Sequence, residues 1–268
     1  MDPILHLGPL AIAADRLIAV ASIWLFVAVA GRVAARIDPR ASRAGWWALA
    51  IGLLAARAGF VVQNFEAFRV APSTILAVWQ GGFSALAGII VAALTLLVLL
   101  GRSRAGAIML ATLSGLSLVY LASLAWLAPE PRPLTPGLTV MQVDGTPVPI
   151  EGLRGRPFVV NLWATWCPPC RREMPMVVDV ARSSAIPVLL VNQGESDVEV
   201  RDFLRRERLP ADAVRLDPGS TFTQAAGSGA MPTTLFVDAQ GLVRDIHVGE
   251  ISRAALTDGI RNLERTRK

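Results

Sequence analysis

The chain has 268 residues, 53% of them hydrophobic and 18% charged, with 26 Lys or Arg, 21 Asp or Glu and only two cysteines. Residues 1–128 carry nine Arg, no Lys and four acids, whereas the remainder is charge-balanced, so the net charge of +5 belongs to the apolar front half. No basic stripe with interleaved aromatics runs through the back half, which argues against nucleic-acid binding, and two cysteines with two distant histidines (His6, His247) leave zinc a weak alternative.

In chain order, four apolar stretches come first, at roughly 10–30, 45–62, 75–100 and 107–128. About 20 helical residues cross a bilayer core of about 30 Å. The first, third and fourth are long enough. The second is marginal and contains Arg57. A cleaved signal peptide is a poor expectation, because Met1-Asp2 offers no basic start and three further spans follow. Arg32, Arg36, Arg40 and Arg43 separate spans one and two, and Arg102 and Arg104 separate spans three and four. The positive-inside rule places both loops in the cytoplasm. The N-terminus and everything after span four then lie outside, where disulfide chemistry is at home. Arg57 either snorkels or pairs within the bundle, or has a role inside the membrane. Asp15 and Arg16 are expected at the interface.

Residues 129–137 are Pro-dense and read as a semi-rigid spacer reaching roughly 25 Å. From 138 onward, strand patterns at 138–143, 157–163, 187–192, 233–238 and 242–248 alternate with helix patterns at 168–183, 197–208, 220–226 and 252–265. Asp144-Gly145 and Ala239-Gln240-Gly241 read as turns. The order predicts a mixed central sheet flanked by helices, an α/β domain over 138–268 behind a polytopic membrane region over 1–128.

The chemistry sits at Trp163-Ala164-Thr165-Trp166-Cys167-Pro168-Pro169-Cys170. The run 158–162 reads as a strand, and it delivers the first cysteine to a helix start. There, unpaired amides and the helix dipole favour a thiolate. The thiol pKa falls from about 8.5 toward roughly 3.5–7.5 in such motifs. Cys167 is the expected nucleophile and Cys170, one turn on, the resolving thiol. Pro168 and Pro169 occupy the first turn, where a missing N–H costs nothing. Glu173, three residues after Cys170, shares its helix face. It is either a proton-handling group that shifts thiol reactivity or an acid that complements the dipole. The cofactor is the disulfide itself.

Residues 160–175 and Met231-Pro232-Thr233-Thr234-Leu235-Phe236-Val237-Asp238 resemble the thioredoxin fold, and more closely the membrane-anchored TlpA/ResA reductases. The resemblance implies that Glu173 handles the proton of the resolving thiol. Asn161 stands where ordinary thioredoxins carry a buried Asp, and an amide cannot accept that proton. Pro232 matches the family's cis-proline, whose backbone is expected to pair with substrate. Trp166, Pro168, Met231, Pro232 and Thr233 are the implied substrate contacts, with Asn161 and Trp163 in support.

In the front half, Ala56-Arg57-Ala58-Gly59-Phe60-Val61 and Trp79-Gln80-Gly81-Gly82-Phe83-Ser84-Ala85-Leu86-Ala87-Gly88 resemble prolipoprotein diacylglyceryl transferase. Leu86 replaces that family's essential histidine and the later membrane segments are missing, which implies a degenerate anchor. Arg57 matches the family's intramembrane arginine and is a candidate lipid contact.

These readings together predict a periplasm-facing protein-disulfide reductase in a bacterial inner membrane, for example in cytochrome c maturation. Its substrates would be oxidised envelope proteins. No span carries a cysteine, so a separate membrane thiol reductant of the DsbD/CcdA type must recharge it. The alternatives are a disulfide-forming oxidase, a lipid-modifying transferase with an appended redox domain, and a tethered binding module with incidental thiols.

Overall fold

A computed structural model describes residues 4–7, 10–127, 130–227 and 229–265, with side chains from Leu17 onward. The chain start Met1-Asp2, the side chains of His6, Asp15 and Arg16, and Pro129 of the expected spacer lie outside the described residues. The chain divides into two compact units, Met1–Ala128 and Pro129–Lys268.

The first unit opens with a hairpin of β1 (Ile4–Leu7) and β2 (Leu10–Ala13), which the sequence pattern did not suggest. Helices α1 (Ala14–Arg36), α2 (Arg40–Gln63), the short α3 (Phe65–Val70), α4 (Ala85–Leu100) and α5 (Arg104–Trp126) follow. Among the described residues three helices, in α1, α2 and α5, are long and apolar enough to cross a membrane. The third expected span is a correction. Residues 75–100 are not one helix, because the stretch opens with two 3-10 turns, Pro72–Leu76 and Val78–Gln80. Gly81 and Gly82 then take φ of +73° and +83°, a left-handed backbone that ends helical propagation and suits glycine. The helix that remains, α4, has 16 residues.

Small residues let α2 and α4 approach closely. A Cβ on Gly52 would lie 3.0 Å from the Ala92 Cβ, one on Gly88 2.9 Å from the Ala56 Cβ, and one on Gly59 2.7 Å from the Ala87 Cβ. Helices in lipid associate through this kind of packing, since apolar side chains gain nothing by leaving the hydrocarbon.

The second unit is an eight-stranded mixed sheet with helices on both faces. Its elements are β3 (Arg132–Pro133), β4 (Thr139–Gln142), β5 (Pro147–Pro149), β6 (Phe158–Trp163), α6 (Pro168–Ser183), β7 (Val188–Gln193), α7 (Asp197–Glu207), β8 (Val214–Asp217), α8 (Thr221–Ala226), β9 (Thr233–Val237), β10 (Leu242–Val248) and α9 (Arg253–Arg265). The strand order is β3-β10-β9-β6-β7-β8-β4-β5. Strands β6, β7 and β8 are parallel, and the other pairs are antiparallel.

Every residue of β6 and β7 is buried, as expected of central strands covered on both faces. Their alternation sorts the core. Val159, Trp163 and Leu190 pack with Met174 of α6, Phe203 of α7 and Leu256 of α9, whereas Val160, Leu162 and Val191 pack with Phe222 of α8. The expected spacer is partly drawn into this unit. Arg132 and Pro133 pair with β10, and Leu134 is buried against the second cluster.

A leucine at position 59 has no room between α2 and α4. The Gly59→Leu variant is expected to lose about 1–3 kcal/mol of helix packing, read as a lower midpoint for the first unit in detergent. Disulfide status in the second unit should be unchanged.

Candidate functional site

The fully buried strand β6 ends at Trp163, and a β-turn over 164–167 follows, closed by the Cys167 N–H donating to the Ala164 carbonyl at 3.3 Å. Cys167 then caps α6. Its backbone is extended (φ −87°, ψ 107°), and its Sγ accepts the Cys170 N–H at 3.3 Å. Pro168 and Pro169 open the helix, so no donor is stranded. Cys167 and Cys170 are joined in a disulfide. Cys170 is fully buried and Cys167 only 4% exposed. On reduction, the amide that meets Cys167 Sγ and the helix N-terminus both favour a thiolate at that sulfur.

One turn further along α6 lies a buried polar group. The Glu173 carboxyl, 3% exposed, accepts the Asn161 Nδ2–H at 2.9 Å and the Ile251 N–H at 2.7 Å. Asn161 also donates to Thr234 Oγ1 at 3.1 Å. Burial pushes the Glu173 carboxyl up from its ordinary value of 4.5 to about 7. The Ile251 and Asn161 hydrogen bonds pull the other way, and nearby Glu250 and Arg172 add smaller opposing effects. An acid that complemented the dipole from the surface would face water, and Glu173 does not. Asn161 projects from the face of β6 that α6 covers, as Val159 and Trp163 do.

The other expected contacts divide. Trp166 is 67% exposed and Pro168 is exposed. Trp163 is fully buried against Phe203 with ring centroids 5.4 Å apart, so it supports the turn from below and cannot touch a partner. The Met231–Pro232 peptide is cis. The Pro232 carbonyl accepts the Gly249 N–H at 2.9 Å. Met231 packs against the buried cluster that contains both cysteines. Thr233 is a correction: it is fully buried, paired within the sheet, and its hydroxyl donates to the Ala230 carbonyl at 2.7 Å. Its side chain is spent inside the fold.

Three features escaped the sequence reading. The Ile251 N–H reaches Glu173 from the loop before α9, 78 residues away in sequence. Arg172 and Glu250 pair at 2.8 Å across the same two segments. Glu195, after β7, accepts from Thr165 in the turn. Each is a long-range contact to a loop, and no local pattern announces it.

In the first unit Arg57, expected as a candidate lipid contact, is occupied by protein. Its Nε–H donates to the Ile75 carbonyl at 2.9 Å, its Nη1 to those of Gly81 (2.7 Å) and Gly82 (2.9 Å), and its Nη2 to that of Thr74 (2.9 Å). The guanidinium also lies 5.4 Å and 5.7 Å from the ring centroids of Phe68 and Phe83. Leu86, at the position of the transferase histidine, is 69% exposed. Among the described residues, no group of three or more His, Cys, Asp or Glu is placed to hold a metal ion.

A disulfide capping a helix at the end of a buried central strand defines a thioredoxin-like disulfide-exchange domain. The family model described as Redoxin matches residues 128–260, and that of prolipoprotein diacylglyceryl transferase matches 3–124. The thiol-disulfide oxidoreductase ResA of Geobacillus kaustophilus is 30% identical over 121 residues, covering 44% of this chain and 69% of that protein. ResA of Bacillus thuringiensis is 27% identical over 124 residues, covering 45% and 71%. The crystal structure of a thiol:disulfide interchange protein from Chlorobium tepidum is 26% identical, covers 50% of this chain and 97% of its own, and has a TM-score of 0.43. Through its second unit, this chain belongs to the ResA family of thiol-disulfide oxidoreductases.

The raised affinity of Glu173 for a proton has a sign in stability. A carboxyl whose folded value is about 7 and unfolded value 4.5 leaves the fold unpenalised below pH 4.5. As pH rises from there through 7, the unfolded chain ionises first and about 3 kcal/mol is lost. Thermal melts of the second unit between pH 4.5 and 8 should therefore fall with pH, and Glu173→Gln should flatten that slope.

Proposed function

We propose that this chain is a membrane-anchored reductase of protein disulfides, with its exchange domain facing the periplasm. The observation that carries the direction is the buried Glu173 carboxyl on the helix face it shares with Cys170. Strong oxidants of this class owe their potential to a stabilised reduced form. Here the neighbouring carboxyl disfavours a second negative charge on sulfur, which offsets the thiolate stabilisation that the helix start supplies.

The reaction then runs in two exchanges. The Cys167 thiolate attacks one sulfur of a substrate disulfide, forming a mixed disulfide and releasing a substrate thiolate. Glu173 takes the Cys170 proton. The Cys170 sulfur attacks Cys167 Sγ, closing the intramolecular disulfide and releasing the second substrate thiolate. Two electrons pass to the substrate. Trp166 and Pro168 offer exposed contact area at the turn. The main chain of Met231 has no hydrogen-bond partner among the described residues, which leaves it able to pair with an added strand. Cysteine is absent from residues 1–128, so the electrons come from a separate membrane thiol reductant of the DsbD/CcdA type. Oxidised envelope proteins, with apocytochrome c as one example, are the substrates.

Four crossings fit the charges better than three. Arginines 32, 36, 40 and 43 precede or open α2, Arg102 lies between α4 and α5, and Arg104 opens α5. Both sets reach the cytoplasmic side only if α4 also crosses. At 1.5 Å per residue its 16 residues span about 24 Å, close to a bilayer core, and it runs packed along α2. The N-terminus is then outside. The engaged Arg57 and the leucine at position 86 leave the transferase alternative without its chemistry.

Acid quenching and thiol alkylation of growing cells tests the direction. The wild-type pair should be mostly reduced and become oxidised when the membrane thiol reductant is deleted. A Cys170→Ala variant should accumulate mixed disulfides with envelope proteins, and Cys167→Ala none. A pair that stays oxidised regardless of the reductant would overturn the reductase reading in favour of an oxidase.

A further inference from the structure

The turn that carries Trp166 and Cys167 is held from outside by a residue that the exchange chemistry does not use. Glu195 lies half-buried in the connection between β7 and α7. Its Oε2 accepts the Thr165 main-chain N–H at 2.7 Å, and its Oε1 accepts the Thr165 hydroxyl. Oε2 also accepts the Asn192 Nδ2–H at 2.6 Å. Asn192 is fully buried in β7, in register beside Trp163 of β6. The carboxylate is thus fixed to the sheet on one side and to the turn on the other.

Thr165 and Trp166 are the two corner residues of that turn, whose own closing hydrogen bond is 3.3 Å long. In the oxidised protein the disulfide also restrains the segment. After reduction that covalent tie is gone, and the attacking form relies on the Glu195 contacts to keep Trp166 and Cys167 in place. The position matters for docking. Trp166 and Val198 are the two large apolar side chains most exposed in the second unit among the described residues, at 67% and 61%. One follows Thr165 and the other lies three residues beyond Glu195.

We propose that Glu195 is a positioning residue of the exchange site: it straps the Cys167 turn to the β7–α7 connection and sets the surface on which a protein disulfide docks. The assignment rests on the reductase reading above. Misplacing a reacting group by as little as 1 Å can cost up to about a hundredfold in rate, and a loosened but still folded turn should cost less. A small disulfide, which needs only the sulfur, should be nearly indifferent.

The test uses the full chain in detergent, reduced and then mixed in single turnover with insulin as protein disulfide or cystamine as small disulfide. Glu195→Ala should slow insulin reduction roughly tenfold and cystamine reduction less than twofold. Glu195→Gln should restore the insulin rate. Its amide oxygen can take the two N–H donors at the Oε2 position, while its NH2 donates to the Thr165 hydroxyl oxygen, which reverses that one bond. An insulin rate unchanged in Glu195→Ala overturns the assignment. So does a parallel fall with both disulfides, or a Gln variant as slow as Ala. If Glu195→Ala fails to fold, Thr165→Val keeps the main-chain donor and removes the hydroxyl, and should slow insulin alone by roughly threefold. Wild-type protein that cannot reduce insulin would instead overturn the reductase reading itself.

Discussion

The second unit is organised around a carboxyl group buried one helical turn after the disulfide's second cysteine. An ionisable side chain that is 3% exposed is costly unless its oxygens are met by donors. Three segments supply what Glu173 needs. Strand β6 brings Asn161, α6 brings the glutamate itself, and the loop before α9 brings the Ile251 N–H. Asn161 is in turn held by Thr234 of β9. The arrangement therefore fixes α6 and α9 against the two central strands β6 and β9, and α6 carries both cysteines at or next to its first turn. Moving any of these segments would strand a buried donor or a buried carboxyl.

The first unit solves a related problem with the opposite charge. Arg57 lies within an apolar helix, where an unpaired cation is expensive. It donates to four main-chain carbonyls of the stretch 74–82, which is 3-10 turns and positive-φ glycines and not α-helix. The pairing serves both sides: the guanidinium is solvated by carbonyl oxygens, and irregular backbone becomes tolerable beside apolar helices. The Ser84 N–H adds a bond at 2.9 Å to the carbonyl of Ala56, the residue just before Arg57. An arginine that resembles a lipid-binding group in sequence has become a staple for a loop.

What the sequence revealed and what it hid follow from range. The helix beginning at Pro168 and the strands 158–163 and 242–248 are written in local patterns: prolines at a helix start, a short apolar run before a cysteine, alternation after a Gln-Gly turn. Strand β8 is only four residues with an arginine in it, and β5 is bounded by prolines. Both exist because neighbours offer an edge to pair with, which no window of sequence shows. The third membrane stretch misled for a different reason. Its composition is apolar throughout, and composition does not register that Gly81 and Gly82 adopt a left-handed backbone. In the site, Cys167, Cys170 and cis-Pro232 were legible from motif and spacing. The burial of Thr233 and Trp163 was not, because it depends on helices covering both faces of β6 and β9, which no local pattern shows. Glu195 left no signal, since its partner Thr165 is 30 residues away.

Two glutamates thus meet the active-site segment from different environments, and their surroundings suit them to different work. Glu173 sits where solvent is excluded and accepts two hydrogen bonds, which do not fully offset the cost of desolvation, and its affinity for a proton rises to the neutral range. A group in that condition can take and return a proton within one catalytic cycle at physiological pH. Glu195 sits half in water and accepts three donors from two segments. Fully engaged acceptors of this kind hold geometry. The first lies one helical turn after Cys170 and the second contacts the turn leading to Cys167, so the two carboxyl groups can be altered one at a time.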